Sequence, residues 1–176
     1  MAGQTSGGMM VEVRVAGVAL DSGGQHVILL QPVDTPPGKS KLLPIWIGPL
    51  EATSIMVAIE GGNTPRPLTH DLIRTLLEAL DVQVEQVEVT RIEDSTFYAE
   101  ITVRSGADSG AGIHRIDARP SDAIAIASRT GAPMFVADEV LAEAGVEDVI
   151  SDAEAEADVQ EFSKFLDEVD PDDFRE

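Results

Sequence analysis

Two predicted helices open with the same short pattern of chemically useful residues. The string RPLTHD spans Arg66–Asp71, and the string RPSD spans Arg119–Asp122. Hydroxyl and carboxylate side chains at these positions suit capping, because they complement the free N–H groups of a first helical turn. Capping needs no arginine, whereas a helix N-terminus flanked by guanidinium groups can bind an anion such as phosphate. Arg66 and Arg119 are therefore candidate phosphate-binding residues.

His70 is a candidate general acid or base. It stands on the first turn of its predicted helix, beside Asp71 and one turn before Arg74, which places it on the polar side of that helix. Histidine exchanges protons near neutral pH, which suits it to acid–base chemistry. The alternative is a surface histidine without function. His26 and His114 lie in strand patterns with no motif around them, and we interpret both as structural.

Acidic residues supply candidate ligands for a hard cation. Asp117 ends a predicted strand and Asp122 begins the next helix, so the two carboxylates could converge on Mg²⁺ or Mn²⁺, with Asp71 as a further ligand. The alternative for Asp122 is an ordinary helix cap. The sequence has no HExxH zinc motif, no P-loop or GxGxxG string and no GxSxG nucleophile elbow. An established catalytic signature is therefore absent.

The elements that must position these residues follow from hydrophobic periodicity. Strands are predicted over 10–20, 26–30, 42–47, 82–92, 96–104, 113–117 and 134–136, and helices over about 49–60, 69–80, 121–129 and 138–144. Strands and helices occur in clusters rather than in strict alternation. This predicts an α+β fold with a mixed, largely antiparallel sheet and helices packed against it. A shift of the alternation near Glu85 and Gln86 predicts a β-bulge.

Two further predictions concern buried surface. The helix over 69–80 is expected to bury its apolar residues, which are Leu72, Ile73, Leu76, Leu77 and Leu80. The only tryptophan, Trp46, lies in an apolar predicted strand, so we expect it in the core; the alternative is a subunit interface, where tryptophan is enriched. Exposed strand edges and this tryptophan predict self-association as a homodimer or a larger homo-oligomer.

Composition sets the domain organisation. The chain has 176 residues, of which 43% are hydrophobic, enough for one folded domain with an appendage. We predict a disordered leader over 1–9, one domain over 10–145 and an acidic tail over 146–176. Because cysteine is absent, disulfides, thiolate metal sites and a cysteine nucleophile are excluded. Neither a signal peptide nor a membrane-spanning segment is recognised, which predicts a soluble, cytoplasmic protein.

Charge is concentrated in the tail. Residues 147–176 hold 13 acidic side chains against Lys164 and Arg175, within a net charge of −20 for the whole chain. The domain is also acidic, so any contact with a polyanion must be local or mediated by a divalent cation. Apolar residues at helical spacing predict a short amphipathic helix in the tail, formed by Val159, Phe162, Phe165, Leu166 and Val169. So short a stripe cannot fold alone, and we expect it to dock on the domain or on a protein partner.

In this order the motifs resemble one family, the bifunctional nuclease domain. The matching strings are LPIWIGPLEA (Leu43–Ala52), RPLTHDL (Arg66–Leu72), DSTFYAEI (Asp94–Ile101), DARPSDAIAIASR (Asp117–Arg129) and APMFV (Ala132–Val136). The resemblance extends over about residues 10–145 and leaves the acidic tail outside. It implies a compact α+β domain that self-associates. It also implies a phosphodiesterase acting on both DNA and RNA, as some plant relatives are described.

Two functional hypotheses remain open on the matched positions. The first is a nuclease that depends on Mg²⁺ or Mn²⁺, and it requires both arginine-proline turns on one face of the fold. Its residues are His70, Asp71, Asp117 and Asp122 as catalytic groups, Asp117 and Asp122 as metal ligands, and Arg66 and Arg119 as phosphate-binding groups. The second is a non-catalytic, oligomeric binding or regulatory module. There the helix starts bind a small anion, or form structural ion pairs of Arg66 with Asp122 or of Arg119 with Asp71.

Overall fold

The computed structural model describes residues 8–34, 41–62, 64–106 and 112–147, so the tail from residue 148 onwards lies outside the described residues. The described part forms eight strands and four helices. In chain order they are β1 (Met10–Leu20), β2 (His26–Pro32), β3 (Lys41–Ile47), α1 (Pro49–Ile59), α2 (Thr69–Ala79), β4 (Val82–Glu93), β5 (Thr96–Ser105), β6 (Gly112–Ala118), α3 (Pro120–Thr130), β7 (Met134–Ala137), α4 (Asp138–Ala144) and β8 (Val146–Glu147). Within these ranges no helix has the length and apolar character needed to span a membrane.

All eight strands belong to one sheet in the order β6-β5-β4-β7-β1-β2-β3-β8. Neighbouring strands are antiparallel except β4 and β7, which run parallel because β5, β6 and α3 carry the chain back between them. The predicted α+β class with a mixed, largely antiparallel sheet is therefore confirmed. The register of β4 against β5 shifts between Val84 and Gln86, which confirms the predicted bulge.

A tight turn joins β4 to β5 at Asp94 and Ser95. Both residues have positive φ angles, 47° and 61°. Positive φ at both central positions is the geometry that matches the twist of a two-residue hairpin. The turn therefore fixes the register of the longest strand pair and the position of the first residues of β5.

The helices cover one face of the sheet, and α3 lies at the centre of this layer. It packs on β4 and β5, while α1 and α2 pack on α3. The side chains that α3 buries are small or branched, including Ala123, Ile124 and Ala125. Small side chains allow close approach between packed elements. Three helices therefore meet around α3, and their polar residues are brought within contact distance of one another.

The orientation of α2 differs from the prediction. Leu72, Leu76 and Leu80 are more than half exposed, so the prediction that they are buried is wrong. The inward side of α2 instead carries His70, which is buried, and Ile73, which packs against the core. The side of α2 that faces α3 forms polar contacts with α3, and the leucines therefore lie on the opposite side of the helix. The described domain thus presents an apolar stripe on the outer face of α2.

Alanine substitutions distinguish the core from this outer stripe. Leu43→Ala removes a side chain that is 0% exposed and should lower the free energy of unfolding by about 2–5 kcal/mol, since a cavity replaces packed atoms. Leu76→Ala removes a side chain that is 52% exposed and should change the free energy of unfolding by about 0.5 kcal/mol or less. Urea denaturation of both variants measures the difference. A comparable loss at Leu76 would contradict the orientation of α2.

Candidate functional site

The first turns of α2 and α3 are joined by a hydrogen bond. Nε2 of His70 lies 3.2 Å from Oδ1 of Asp122. Each helix begins without a side-chain cap from its N-cap residue, and Pro120 occupies the first position of α3, where a missing N–H costs nothing. The two helix starts therefore lie side by side, as the nuclease hypothesis requires.

The other nitrogen of His70 contacts α1. Nδ1 lies 2.9 Å from the hydroxyl oxygen of Ser54, and both residues are buried. The Ser54 hydroxyl also accepts a hydrogen bond from Nη2 of Arg129. Because an arginine only donates, the arrangement that satisfies every group has Ser54 donating to Nδ1 and Nε2–H donating to Asp122. His70 is thus held in one tautomer by neighbours on both sides.

Arg119 occupies the exposed side of this contact. Its Nε and Nη2 donate to the two carboxylate oxygens of Asp122 at 2.9 and 3.1 Å, and Nη1 donates to Glu51 at 3.1 Å. The paired geometry with Asp122 is the fork that a guanidinium forms with a carboxylate or a phosphate. With 66% of its side chain exposed, Arg119 is accessible from solvent.

Arg129 occupies the buried side, where its side chain is 4% exposed. It donates to Oδ1 of Asp71, to the backbone carbonyls of Ser54 and Ala125 and to the Ser54 hydroxyl. Asp71 in turn accepts the N–H of Leu68 at 2.8 Å, which caps α2. One continuous set of polar contacts therefore links three helices. We call it the helix-junction network, and its residues are Glu51, Ser54, His70, Asp71, Arg119, Asp122 and Arg129.

Electrostatics keep the aspartates of the network ionised. The hydrogen bond from Arg129 lowers the pKa of Asp71 below its usual value. Burial raises the pKa of Asp122, but hydrogen bonds from Arg119 and His70 outweigh burial and lower it overall. The pKa of Arg119 is raised by its hydrogen bonds to Asp122 and Glu51. The exposed part of the network is therefore a charged group at neutral pH.

Asp117 does not join the network. It pairs with Glu100 across β6 and β5, while the next pair is Ala118 with Ala99, a buried core residue. Successive side chains of a strand point to opposite faces, so Asp117 lies on the face away from the helices. The expected convergence of Asp117 with Asp122 is not found. Across the described residues no group of three or more histidine, aspartate or glutamate side chains is placed to hold a metal ion.

The arginines have other partners than those expected from the sequence. Arg119 pairs with Asp122 on its own helix rather than with Asp71, whose partner is Arg129. Arg66 is exposed, and no ion pair to it is formed among the described residues. The two helix starts are thus tied together by His70 and Asp122, and not by the expected arginine pairs.

A cavity of about 430 Å³ lies beside Arg119. Its lining includes Trp46 at the end of β3, Phe97 at the start of β5 and Ser121 on the first turn of α3. Trp46 is 54% exposed, so the prediction that it lies in the core is wrong. Its position at the end of β3, on the side away from the buried Ile45, removes it from the packed interior.

Comparison with known proteins decides the family. The sequence profile of the bifunctional nuclease domain matches residues 28–149, which is most of the chain. The chain belongs to the bifunctional nuclease domain family. An uncharacterized protein of Mycobacterium tuberculosis is 39% identical over 173 residues, which cover 94% of this chain and 99% of that protein.

Plant relatives of this bifunctional nuclease domain are longer proteins. Bifunctional nuclease 1 of Oryza sativa subsp. japonica is 28% identical over 116 residues, which cover 66% of this chain and 34% of that protein. Bifunctional nuclease 2 of Arabidopsis thaliana is 28% identical over 99 residues, which cover 56% of this chain and 30% of that protein. The similarity to each plant protein is thus confined to about a third of its length.

Sequence reasoning missed two residues of the site in this bifunctional nuclease domain. Ser54 lies in a largely apolar helix. From the sequence alone, Arg129 is interpreted as a cation that complements the partial negative charge at the C-terminal end of α3. A signal for Arg129 was available, because it lies seven residues after Asp122 and so on the same side of α3. No comparable signal marks Ser54, whose partners all come from other helices.

Removing the buried guanidinium should destabilise the domain strongly. Arg129→Met leaves Asp71 without its charge partner, and we expect the free energy of unfolding to fall by about 3–5 kcal/mol. Arg115→Met is the matched control, because Arg115 is half exposed and lies 3.7 Å from Glu100 on the other face of the sheet. Arg115→Met should lower the free energy of unfolding by at most about 1 kcal/mol. Equal losses in urea denaturation would contradict a structural role for Arg129.

The lowered pKa of Asp71 makes part of the stability depend on pH. A carboxyl group with a lowered folded-state pKa stabilises the domain above its unfolded pKa, about 3.9, and the contribution is lost as pH falls through the folded value. The Asp71→Asn variant lacks this contribution. The stability difference between wild type and variant should therefore be large at pH 7 and shrink below about pH 4. A difference that stays constant from pH 7 to pH 3 would contradict the ion pair.

Proposed function

We propose that this domain is a nuclease that cleaves phosphodiester bonds of nucleic acid at the junction of α2 and α3. Membership of the family and the names of the plant relatives support this class of reaction. The observation that carries the proposal is the contact of His70 with Asp122. It places two side chains of the acid–base type next to the exposed guanidinium of Arg119.

Phosphodiester hydrolysis needs a cation for the phosphate, a base for the attacking water and an acid for the leaving oxygen. Arg119 is accessible to a phosphate, and the exposed Arg66 stands just before the neighbouring helix. Asp122 is ionised and one third exposed, so it accepts a proton from the attacking water as the water oxygen bonds to phosphorus, while Nε2–H of His70 stays hydrogen-bonded to the Asp122 carboxyl group. Asp122 then returns that proton to the leaving oxygen as the other P–O bond breaks.

Asp71 contributes as a positioning residue in this proposal. Its carboxylate binds Arg129, and Arg129 holds the Ser54 hydroxyl that contacts His70. Loss of Asp71 would therefore act on the ring of His70 through two intermediates. Asp117, the remaining candidate catalytic residue, lies on the far face of the sheet and takes no part in the proposed reaction.

The expected Mg²⁺ or Mn²⁺ site is not supported by the placement of its ligands. Asp117 lies on the face of the sheet away from the helices, whereas Asp122 lies on the first turn of α3, and no group of three or more possible metal ligands is formed among the described residues. The proposed mechanism therefore assigns no step to a metal ion.

A second candidate function, a non-catalytic oligomeric binding module, is favoured by one specific observation. His70 is 9% exposed, and hydrogen bonds occupy both of its ring nitrogens, as carboxylates occupy Arg119. Such a network also suits a purely structural junction. The apolar stripe of Leu72, Leu76 and Leu80 would then supply a surface for self-association.

A cleavage assay separates the two functions. Labelled single- and double-stranded DNA and RNA are incubated with the protein in Mg²⁺, Mn²⁺ or EDTA. If the domain is a nuclease, Asp122→Asn and Arg119→Ala should each lower the cleavage rate by about 100-fold or more, as expected for loss of acid–base or electrostatic catalysis. Arg115→Ala, an exposed arginine on the opposite face, is the matched control and should retain activity.

Thermal melting of the same variants excludes loss of fold as the cause. Arg119 is an exposed partner, so Arg119→Ala should melt close to wild type. Lower stability of Asp122→Asn with cleavage intact would assign Asp122 to structure alone. Absence of cleavage on all four substrates under every ion condition would favour the binding module.

A further inference from the structure

The cavity beside Arg119 has the features of a binding site for an aromatic ligand. Its volume of about 430 Å³ lies within the range of small-molecule sites, and its walls combine aromatic surface with polar groups. Its lining residues include the aromatic Trp46 and Phe97 and the hydroxyl-bearing Ser95, Thr96 and Ser121. The helix-junction network adjoins it through Arg119, which belongs to both.

Trp46 is exposed and yet fixed in orientation. Its indole Nε1 donates to Oδ2 of Asp21 at 2.9 Å, while Oδ1 of Asp21 accepts the N–H groups of Gly23 and Gln25 in the β1–β2 turn. The ring is therefore anchored at its polar edge, and Trp46, one of the residues that line the cavity, remains 54% exposed. A side chain that is already ordered loses little conformational entropy when a ligand stacks on it.

Ser121 adds a largely buried polar residue to the cavity wall. The residue is 94% buried, since only 6% of its surface is exposed, and it lines the cavity. A serine hydroxyl can both donate and accept a hydrogen bond, so this residue suits contact with a polar atom of a ligand.

We propose that this cavity is a subsite for one unpaired nucleobase, whose adjoining phosphate reaches Arg119. The inference rests on the proposed nuclease function and narrows its substrate to single-stranded nucleic acid, or to a strand with an unpaired base. An aromatic platform stacks on the face of any base, and the hydroxyls contact the base edge. A paired base inside a duplex has both faces covered by its neighbours, so it cannot enter.

The single tryptophan of the chain provides a direct readout. Titration of the full-length protein with a ten-nucleotide oligothymidylate should quench the fluorescence of Trp46, because a base stacks on the indole. A fully abasic strand of the same length carries the phosphates without bases and should leave the fluorescence unchanged, as should a blunt duplex. Quenching by the abasic strand equal to that by oligothymidylate would overturn the proposal.

Affinity measured by anisotropy of a labelled oligothymidylate tests the same site without the tryptophan signal. Trp46→Ala should weaken binding about 5- to 150-fold, the cost of one lost stacking contact, and Trp46→Phe should restore most of it. Leu72→Ala is the matched control, with similar exposure and no place in the cavity lining, and should bind as wild type does. Unchanged affinity in Trp46→Ala would refute the subsite.

The two proposals fail in distinguishable ways. Base-dependent quenching in a protein that cleaves no substrate would keep the subsite and reject the nuclease function. Cleavage that is the same for wild type and Trp46→Ala, without quenching, would keep the nuclease function and reject the subsite. Fluorescence that changes with protein concentration but not with the oligonucleotide would place Trp46 in a contact between copies of the chain and overturn the proposal.

Discussion

Arg129 carries a positive charge into the middle of the helix layer, where only 4% of its side chain is exposed. A charge at such a position requires acceptors around it. They come from three helices, as Asp71 of α2, the Ser54 carbonyl and hydroxyl of α1, and the Ala125 carbonyl of α3 itself. α1 and α2 must therefore occupy fixed positions around α3. The contact of His70 with Asp122 follows from this constraint, because His70 is the residue before Asp71.

The network also balances charge in a way that bears on substrate binding. Three carboxylates, of Glu51, Asp71 and Asp122, share the guanidinium groups of Arg119 and Arg129. A phosphate that binds Arg119 has to compete with Glu51 and Asp122 for the same donors. This competition and the net charge of −20 both weaken the attraction for a polyanion. A nucleic-acid substrate would therefore need contacts other than charge, and aromatic stacking is one that charge does not oppose.

Local patterns predicted the elements well, since periodicity and turn residues fixed the strands, the helices and the bulge near Gln86. The predictions of buried residues failed where burial depends on which helices and strands pack against one another. The leucines of α2 have helical spacing, but the ion pair of Asp71 with Arg129 turns that helix so that Leu76 faces outward. Asp117 and Asp122 are close in sequence, yet the alternation of β6 sends the first to the far face of the sheet. The partners of Ser54 lie 16 and 75 positions away along the chain, a separation that sequence spacing does not reveal.

The four residues of β7 join two antiparallel meanders, each of which is formed by strands that follow one another in the chain. β1, β2 and β3 make one antiparallel meander, β4, β5 and β6 make another, and β7 lies between β1 and β4. Each meander consists of contacts close in sequence, whereas the pairing of Val136 with Val11 spans nearly the whole domain. Contacts between residues so far apart in the sequence form late in folding, because closing a long loop costs conformational entropy before the contact contributes any stabilisation. The two meanders are thus natural units of partial folding, and cooperativity between them depends on the insertion of one short strand and on the helices that bridge them.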